Sequence, residues 1–232
     1  MKGKFIVLEG PDGVGKSTQA KLLAARMRTK GLRVEEIPGV DGRTPLGKYA
    51  REILAGKVSA SPREFQALVT ADRVAKNRQM TEWADEGVWM VGDRWTLSAM
   101  VYGTLEIDDE AERWRFRTWL TNINQSPLVY KPSLYIVLHT DSGTLTERLS
   151  KRDHVEIYEK AHLISRVARM YRDSDSLVDS PVKHLVVNND MSFTEGMVWC
   201  AVGHMFDLHL LSTHGAKEEP LGEESQRNSG GG

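Results

Sequence analysis

Cysteine is nearly absent: Cys200 is the only one in 232 residues, so no intrachain disulfide can form, and its apolar, helix-forming surroundings assign it to core packing rather than to catalysis. Long hydrophobic runs are missing too. No stretch approaches the ~20 apolar residues needed to cross a bilayer, and the first strand-like run begins almost at once, at Phe5, so the chain reads as cytoplasmic, without a membrane partner. Nor is there an excess of one charge. Lys and Arg number 31 against 32 Asp and Glu, a net charge of −1 that gives nucleic acid or a membrane surface no global attraction and leaves only a local basic patch open. Internal repeats and interdomain linkers are lacking as well. What is there, 40% hydrophobic and 27% charged residues, fits one α/β domain around a buried parallel sheet.

The most informative segment is G-P-D-G-V-G-K-S, comprising Gly10, Pro11, Asp12, Gly13, Val14, Gly15, Lys16 and Ser17, with Thr18 just beyond. It satisfies G-x-x-x-x-G-K-[ST], a loop whose backbone N–H groups cradle phosphate, and it implies a nucleoside triphosphate site. Glycines are required where a Cβ would obstruct the close approach of backbone to phosphate. Lys16, expected to stand exposed in the loop, supplies a point charge for the β- and γ-phosphates, and Ser17 offers its hydroxyl to Mg²⁺. The apolar run Phe5–Glu9 delivers the loop, and the helix-forming stretch after Ser17 places the phosphates at a helix N-terminus, where free N–H groups and the dipole favour anions.

Four further short apolar runs, Leu32–Ile37, Val88–Gly92, Ser133–Leu138 and His184–Val187, alternate with helical patterns, the signature of a doubly wound α/β sheet. Thr44-Pro45, Ser61-Pro62 with Glu64, and Ser192 with Glu195 are helix starts, predicting helices near 45–56, 62–85 and 193–211. A helix near 109–124 carries the stripe Trp114, Phe116, Trp119, Leu120 and Ile123, a core face or a subunit contact. From about His214 to Gly232 the chain turns polar, glycine-rich and aperiodic, and is expected to be a disordered tail after a 1–213 domain. The third strand ends in Asp93-Arg94: an acidic group there can orient Mg²⁺ or its waters, and an arginine can grip phosphate with two hydrogen bonds.

These residues fall into a familiar order. A-L-V-T-A-D-R ending at Arg73 and D-R-W-T-L-S-A-M-V-Y-G from Asp93 resemble the thymidylate kinase family, as do the E-G-P-D-G-V-G-K-S-T-Q of the phosphate loop, Pro38-Gly39 with Thr44-Pro45-Leu46-Gly47, and the K-P-S-L-Y-I-V-L of the fourth strand. R-L-S-K-R-D-H-V-E, from Arg148 to Glu156, resembles a shortened lid, and the likeness covers nearly everything but the tail. It implies a P-loop NTPase fold with a five-stranded parallel sheet flanked by helices, a lid at about 148–156, ATP and Mg²⁺ as cofactors, and a homodimer. It also implies transfer of the ATP γ-phosphoryl group to a deoxynucleoside monophosphate.

Carried over by position, the resemblance puts Asp12 on the 3′-hydroxyl of the acceptor, Arg73 on the pyrimidine base, Arg94 on the acceptor phosphate, Tyr102 against the sugar 2′ carbon and Ser98 near the base. A lid arginine supplies charge to the transferred group, since Gly13 occupies the P-loop position that is arginine in another branch; Arg148, Lys151 and Arg152 are the candidates, and Arg152 is the choice. Lys16, Arg94, Asp93 and Arg152 thus form the expected catalytic set, with Ser17 and Asp93 for the metal. Three departures matter. Val69 stands where the family stacks an aromatic on thymine, Gly103 replaces a glutamine, and Arg43 substitutes for a phosphate-binding arginine displaced by an insertion. The first two predict a roomier base pocket open to a 5-substituted deoxyuridine or a purine. A P-loop kinase acting on nucleotides within DNA and an inactive ATP-binding switch domain remain as alternatives, the latter opposed by the joint presence of Asp12, Arg73, Asp93 and Arg94.

Overall fold

The computed structural model describes residues 1–105, 107–150, 161–187 and 190–208. Strand β1 (Phe5–Glu9) is buried at all five positions, and its alternate residues feed two separate cores. A strand apolar on both faces belongs at the centre of a sheet covered on both sides. It pairs in parallel with β3 (Trp89–Asp93) and β4 (Leu134–His139), and β2 (Val34–Pro38) and β5 (Val182–Val186) add outside them to give the order β2-β3-β1-β4-β5. All pairings are parallel, so every strand points its carboxyl end at one edge, where such sheets place their ligands.

Helices α1 (Lys16–Thr29) and α8 (Met191–Phe206) cover one face, with Leu23, Met27, Val198 and Val202 packed on Ile6 and Leu8. On the other, α3 (Pro62–Asp85), α4 (Thr96–Gly103) and α7 (Ala161–Arg172) contribute Met80, Leu97, Val101, Val167 and Tyr171 against Phe5 and Val7. The remaining helices are α2 (Pro45–Leu54), α5 (Glu110–Asn124) and α6 (Ser142–Ser150). The five-stranded parallel P-loop architecture expected from the sequence is therefore present.

The expected caps at Thr44 and Ser61 form: Thr44 accepts from the Gly47 N–H, and Ser61 and Glu64 bond each other's backbone in a capping box. The one expected at Ser192 does not. Helix α8 starts earlier, capped by Asp190, whose carboxylate accepts from the Ser192 and Phe193 N–H groups, and Glu195 instead pairs with Arg26 of α1 at 2.7 Å. An aspartate caps as well as a serine and adds a charge that the helix dipole favours, so it wins the competition. Cys200 also departs from expectation. It is exposed, because the buried line of α8 runs through Thr194, Val198 and Val202 and passes it by. On α5 the aromatic stripe splits, with Phe116 and Leu120 in a core and Trp114 68% exposed. Of the expected lid, Arg148–Ser150 is described; Lys151, Arg152 and the rest of the lid, and the 214–232 tail, lie outside the described residues.

Candidate active site

The phosphate loop joins β1 to α1 through Gly10, Gly13 and Gly15 at φ of +139°, +82° and +102°, backbone geometry that L side chains resist. Gly15 occupies the N-cap of α1 without any side-chain cap, so the first N–H groups of that helix stay available to an anion. Val14 anchors the loop below by packing into the core. Lys16 differs from the exposed lysine expected. It is 5% accessible, its Nζ donates to the Pro11 carbonyl at 2.7 Å, and it lies 3.7 Å from the Asp12 carboxylate. Burial, reinforced by the charge of Arg94, pulls its pKa down to about 8.

A cleft of about 780 Å³ opens above the loop, bounded by Lys16, Ser17 and Thr18 on one side and by Asp93 and Arg94 on the other. Asp93 Oδ1 is buried and meets no hydrogen-bond donor among the described residues. An unpartnered carboxylate oxygen on a residue that lines the cleft together with Ser17 suits Mg²⁺, which takes few protein ligands and completes its shell with phosphate oxygens and water.

Arg94 follows β3 with φ +70°, a left-handed backbone rare outside glycine, and this turn swings its side chain across the cleft. Its Nη2 pairs with the Asp12 carboxylate and donates to Tyr102 Oη at 3.3 Å, while Tyr102 in turn donates to Asp12 Oδ2 at 2.9 Å. Burial alone would raise the Asp12 carboxyl, but Arg94, Lys16 and the Tyr102 hydroxyl together hold it well below the usual carboxylate range. Burial likewise works against the charge of Arg94, yet Asp12 and the surrounding groups keep its pKa above the ordinary value. On the far side, Nη1 donates to Ser98 Oγ at 3.0 Å and Tyr171 Oη at 3.1 Å.

A second pocket, of about 100 Å³, lies beyond Arg94 and is lined by Arg73, Val69, Ser98 and Tyr102 as the sequence led one to expect. Two further residues of α3, Phe65 and Gln66, line it as well. Arg73 is fixed by Nη1 donating to Asn124 Oδ1 at 2.9 Å and Nη2 donating to the Trp95 carbonyl at 3.0 Å; burial lowers its pKa to about 10. Its Nε and the Gln66 Oε1 are buried without partners among the described residues. Gly103 makes room for Gln66: a Cβ there would lie 2.7 Å from Leu120 Cδ1 and 3.2 Å from Gln66 Cγ. Both departures noted in the sequence are thus met from α3, with Phe65 bringing an aromatic one turn before Val69 and Gln66 bringing an amide against Gly103. Helical spacing held this signal, since Phe65, Val69 and Arg73 recur every four residues on one face.

Arg43 is not brought to the cleft. Asp41 holds it, accepting from Nε and Nη2 at 2.8 Å each, and it lines a separate recess with Ser17 and Asp93. Arg51 of α2, which no motif marked, lines the main cleft instead. Among the lid candidates, Arg148 reaches the loop, its Nη1 donating to the Gly13 carbonyl at 3.1 Å. Glu9, Tyr171 and Asn124 also escaped sequence reasoning: each acts through contacts across 51 to 162 positions, which no local pattern reveals.

A family model described as thymidylate kinase matches residues 8–190. The chain is 28% identical over 173 residues to the thymidylate kinase of Plasmodium falciparum, covering 74% of this chain and 77% of that one. With the probable thymidylate kinase of Methanococcus maripaludis it shares 32% identity over 169 residues, 72% of this chain and 75% of that one. In three dimensions it is similar to the solved thymidylate kinase of Candida albicans, with a TM-score of 0.72 at 23% identity over 90% of this chain and 94% of the other, a likeness of fold.

Proposed function

The chain belongs to the thymidylate kinase family, and from that premise we propose how its residues divide the transfer of the ATP γ-phosphoryl group to a deoxynucleoside monophosphate. The observation that carries the reading is that Asp12 and Arg94 line both the phosphate-loop cleft and the smaller pocket, so donor and acceptor meet at that pair. An acceptor phosphate oxygen attacks the γ-phosphorus as the bond to the ADP oxygen breaks; the acceptor is already anionic and needs no strong base. Catalysis then rests on positioning and charge neutralisation. Lys16 and the α1 N-terminus hold the donor phosphates, Arg94 and Arg51 the acceptor phosphate, and Asp12 the 3′-hydroxyl, with the Tyr102 ring against the 2′ carbon. Ser17 and Asp93 would hold Mg²⁺, which when bound neutralises charge on the β- and γ-phosphates. Arg152, together with Arg148, supplies positive charge from the lid side.

The base is a pyrimidine with an imide edge. Arg73 and Gln66 line the pocket, and among the described residues Arg73 Nε has no acceptor and Gln66 Oε1 no donor; a base edge with a C=O beside an N–H, as in thymine or uracil, complements such a donor and acceptor. Cytosine presents the reverse order at that edge. Guanine has the right pair but two rings, against a small pocket of about 100 Å³. Exposed Trp114 on α5 supports a homodimer, and the reading keeps the protein in the cytoplasm with its ATP.

The test is ADP release with MgATP and dTMP, dUMP, dCMP, dGMP or a short single-stranded oligonucleotide. The expected outcome is that dTMP and dUMP exceed dCMP and dGMP in kcat/KM by at least about tenfold. Release with none of the monophosphates would sink the kinase assignment. Equal turnover of dCMP and dTMP would remove the imide reading alone.

A further inference from the structure

Arg94 has two ends with different surroundings. Nη2 faces Asp12 and Tyr102, groups that the proposed acceptor engages. Nη1 faces only protein: the hydroxyls of Ser98 and Tyr171 and, at 3.4 Å, the Gly10 carbonyl. A hydroxyl can accept from a guanidinium in a fixed direction only if its own proton is committed elsewhere. Here both protons go to one carboxylate. Glu9, fully buried at the end of β1, accepts from Ser98 Oγ at 2.5 Å and from Tyr171 Oη at 3.0 Å, both on Oε2. Its Oε1 accepts from the Trp95 and Ser98 N–H groups at 2.7 and 3.1 Å. Those are the N-cap amide and the third helical amide of α4, a helix whose N-cap residue, Trp95, provides no side-chain cap. The carboxylate thus caps α4 and orients both hydroxyls at once.

We propose that Glu9, Ser98 and Tyr171 are positioning residues for phosphoryl transfer, a buried relay that fixes the Nη1 end of Arg94 so that Nη2 alone is free to change partners. The proposal rests on Arg94 being the acceptor-phosphate clamp. Glu9 works through the two hydroxyls, without touching substrate. Three elements converge on one guanidinium: β1 through Glu9, α4 through Ser98 and α7 through Tyr171. Because the Nη1 protons have two committed acceptors, the guanidinium plane is held, and exchanging Asp12 for a phosphate oxygen at Nη2 requires no rotation of the group. That matters most where geometry is tightest, in the transition state, where small misplacements cost large factors in rate. Tyr171 also ties the clamp to α7, the helix that follows the lid region in the chain.

Tyr171→Phe removes a single hydroxyl from a buried ring and leaves the packing. It is expected to lower kcat about 10- to 100-fold while the KM for dTMP changes less than about threefold and MgATP binding is unchanged. Ser98→Ala should do the same to a smaller degree. The decisive readout is coupling, because in an Arg94→Ala background, assayed at high enzyme concentration, Tyr171→Phe should have no further effect on kcat. Tyr171→Phe and Ser98→Ala variants with wild-type kcat, or an equal loss with and without Arg94, would overturn the relay. An equal rise in KM and fall in kcat/KM at constant kcat would overturn it too. Should Arg94→Ala itself retain wild-type turnover of dTMP, the clamp assignment fails, a result that the Tyr171 variant by itself could not give.

Discussion

Lys16→Met is expected to abolish activity and at the same time to stabilise the fold. Lys16 is buried among loop backbone, and its pKa falls from 10.5 to about 8, so keeping it charged at neutral pH costs about 3 kcal/mol relative to the unfolded chain. Methionine fills a similar volume without that cost. Against the gain stands the hydrogen bond from the charged Nζ to the Pro11 carbonyl, about 1–2 kcal/mol; the attraction to Asp12 is already contained in the lowered pKa. The net expectation is a gain of about 1–2 kcal/mol at pH 7, or a melting temperature higher by about 3–6 °C in a chain of this size. The sign with pH follows from proton counting. Between about pH 8 and 10.5 the native lysine loses its proton while the unfolded one keeps it, so wild-type stability rises with pH and the advantage of the variant shrinks. Thermal melts of both proteins at pH 7, 8, 9 and 10, alongside MgATP-dependent phosphoryl transfer, check this; kcat should fall by about 10³-fold or more. A variant that melts below wild type at pH 7, with a difference flat to pH 10, would refute the account of Lys16 as a strained, desolvated charge.

Arg51→Ala is expected to raise the KM for the monophosphate about tenfold or more, whereas Arg43→Ala, which only releases Asp41, should leave it within about threefold; steady-state kinetics on both variants decide between them. Val69→Phe should lower the melting temperature by several degrees and leave dTMP turnover no better, because Val69 is packed with Ala50, Ile53 and Phe65 and an added ring overfills that cluster at a cost of about 1–3 kcal/mol. An improved kcat/KM for dTMP at unchanged stability would mean that Phe65 does not serve the base.

The parts legible in the sequence were those whose cause is local. The phosphate loop, the caps at Thr44 and Ser61, and the buried strands follow from glycine geometry, proline placement and apolar runs. Strand β5 was displaced because it is an edge strand with Lys183 and His184 exposed, so its apolar pattern is thin. Lys16 was misjudged because loop membership says nothing about depth, and Asp12 and Arg94 close over it. The base pocket was half legible: the absence of an aromatic at Val69 and of a glutamine at Gly103 could be seen at once, and helical spacing put Phe65 on the face of Val69, but that Gln66 comes against Gly103 requires knowing how α3 packs on α4. Glu9 shows the limit most clearly, since as the last residue of β1 it looks like an ordinary strand end, and its four hydrogen bonds all come from residues more than eighty positions away.

The left-handed backbone at Arg94 carries a consequence for anyone who would engineer this protein for robustness. A non-glycine residue in that conformation sacrifices about 1–2 kcal/mol, and the same turn directs the guanidinium across the cleft. Glycine or asparagine at this position would relax the backbone but strip buried Asp12 of its strongest partner, a loss of about 3–5 kcal/mol that outweighs the relief, so the strain is locked in by the ion pair it creates. A screen for endurance on this scaffold should therefore leave position 94 untouched, because stability and chemistry there depend on the same guanidinium.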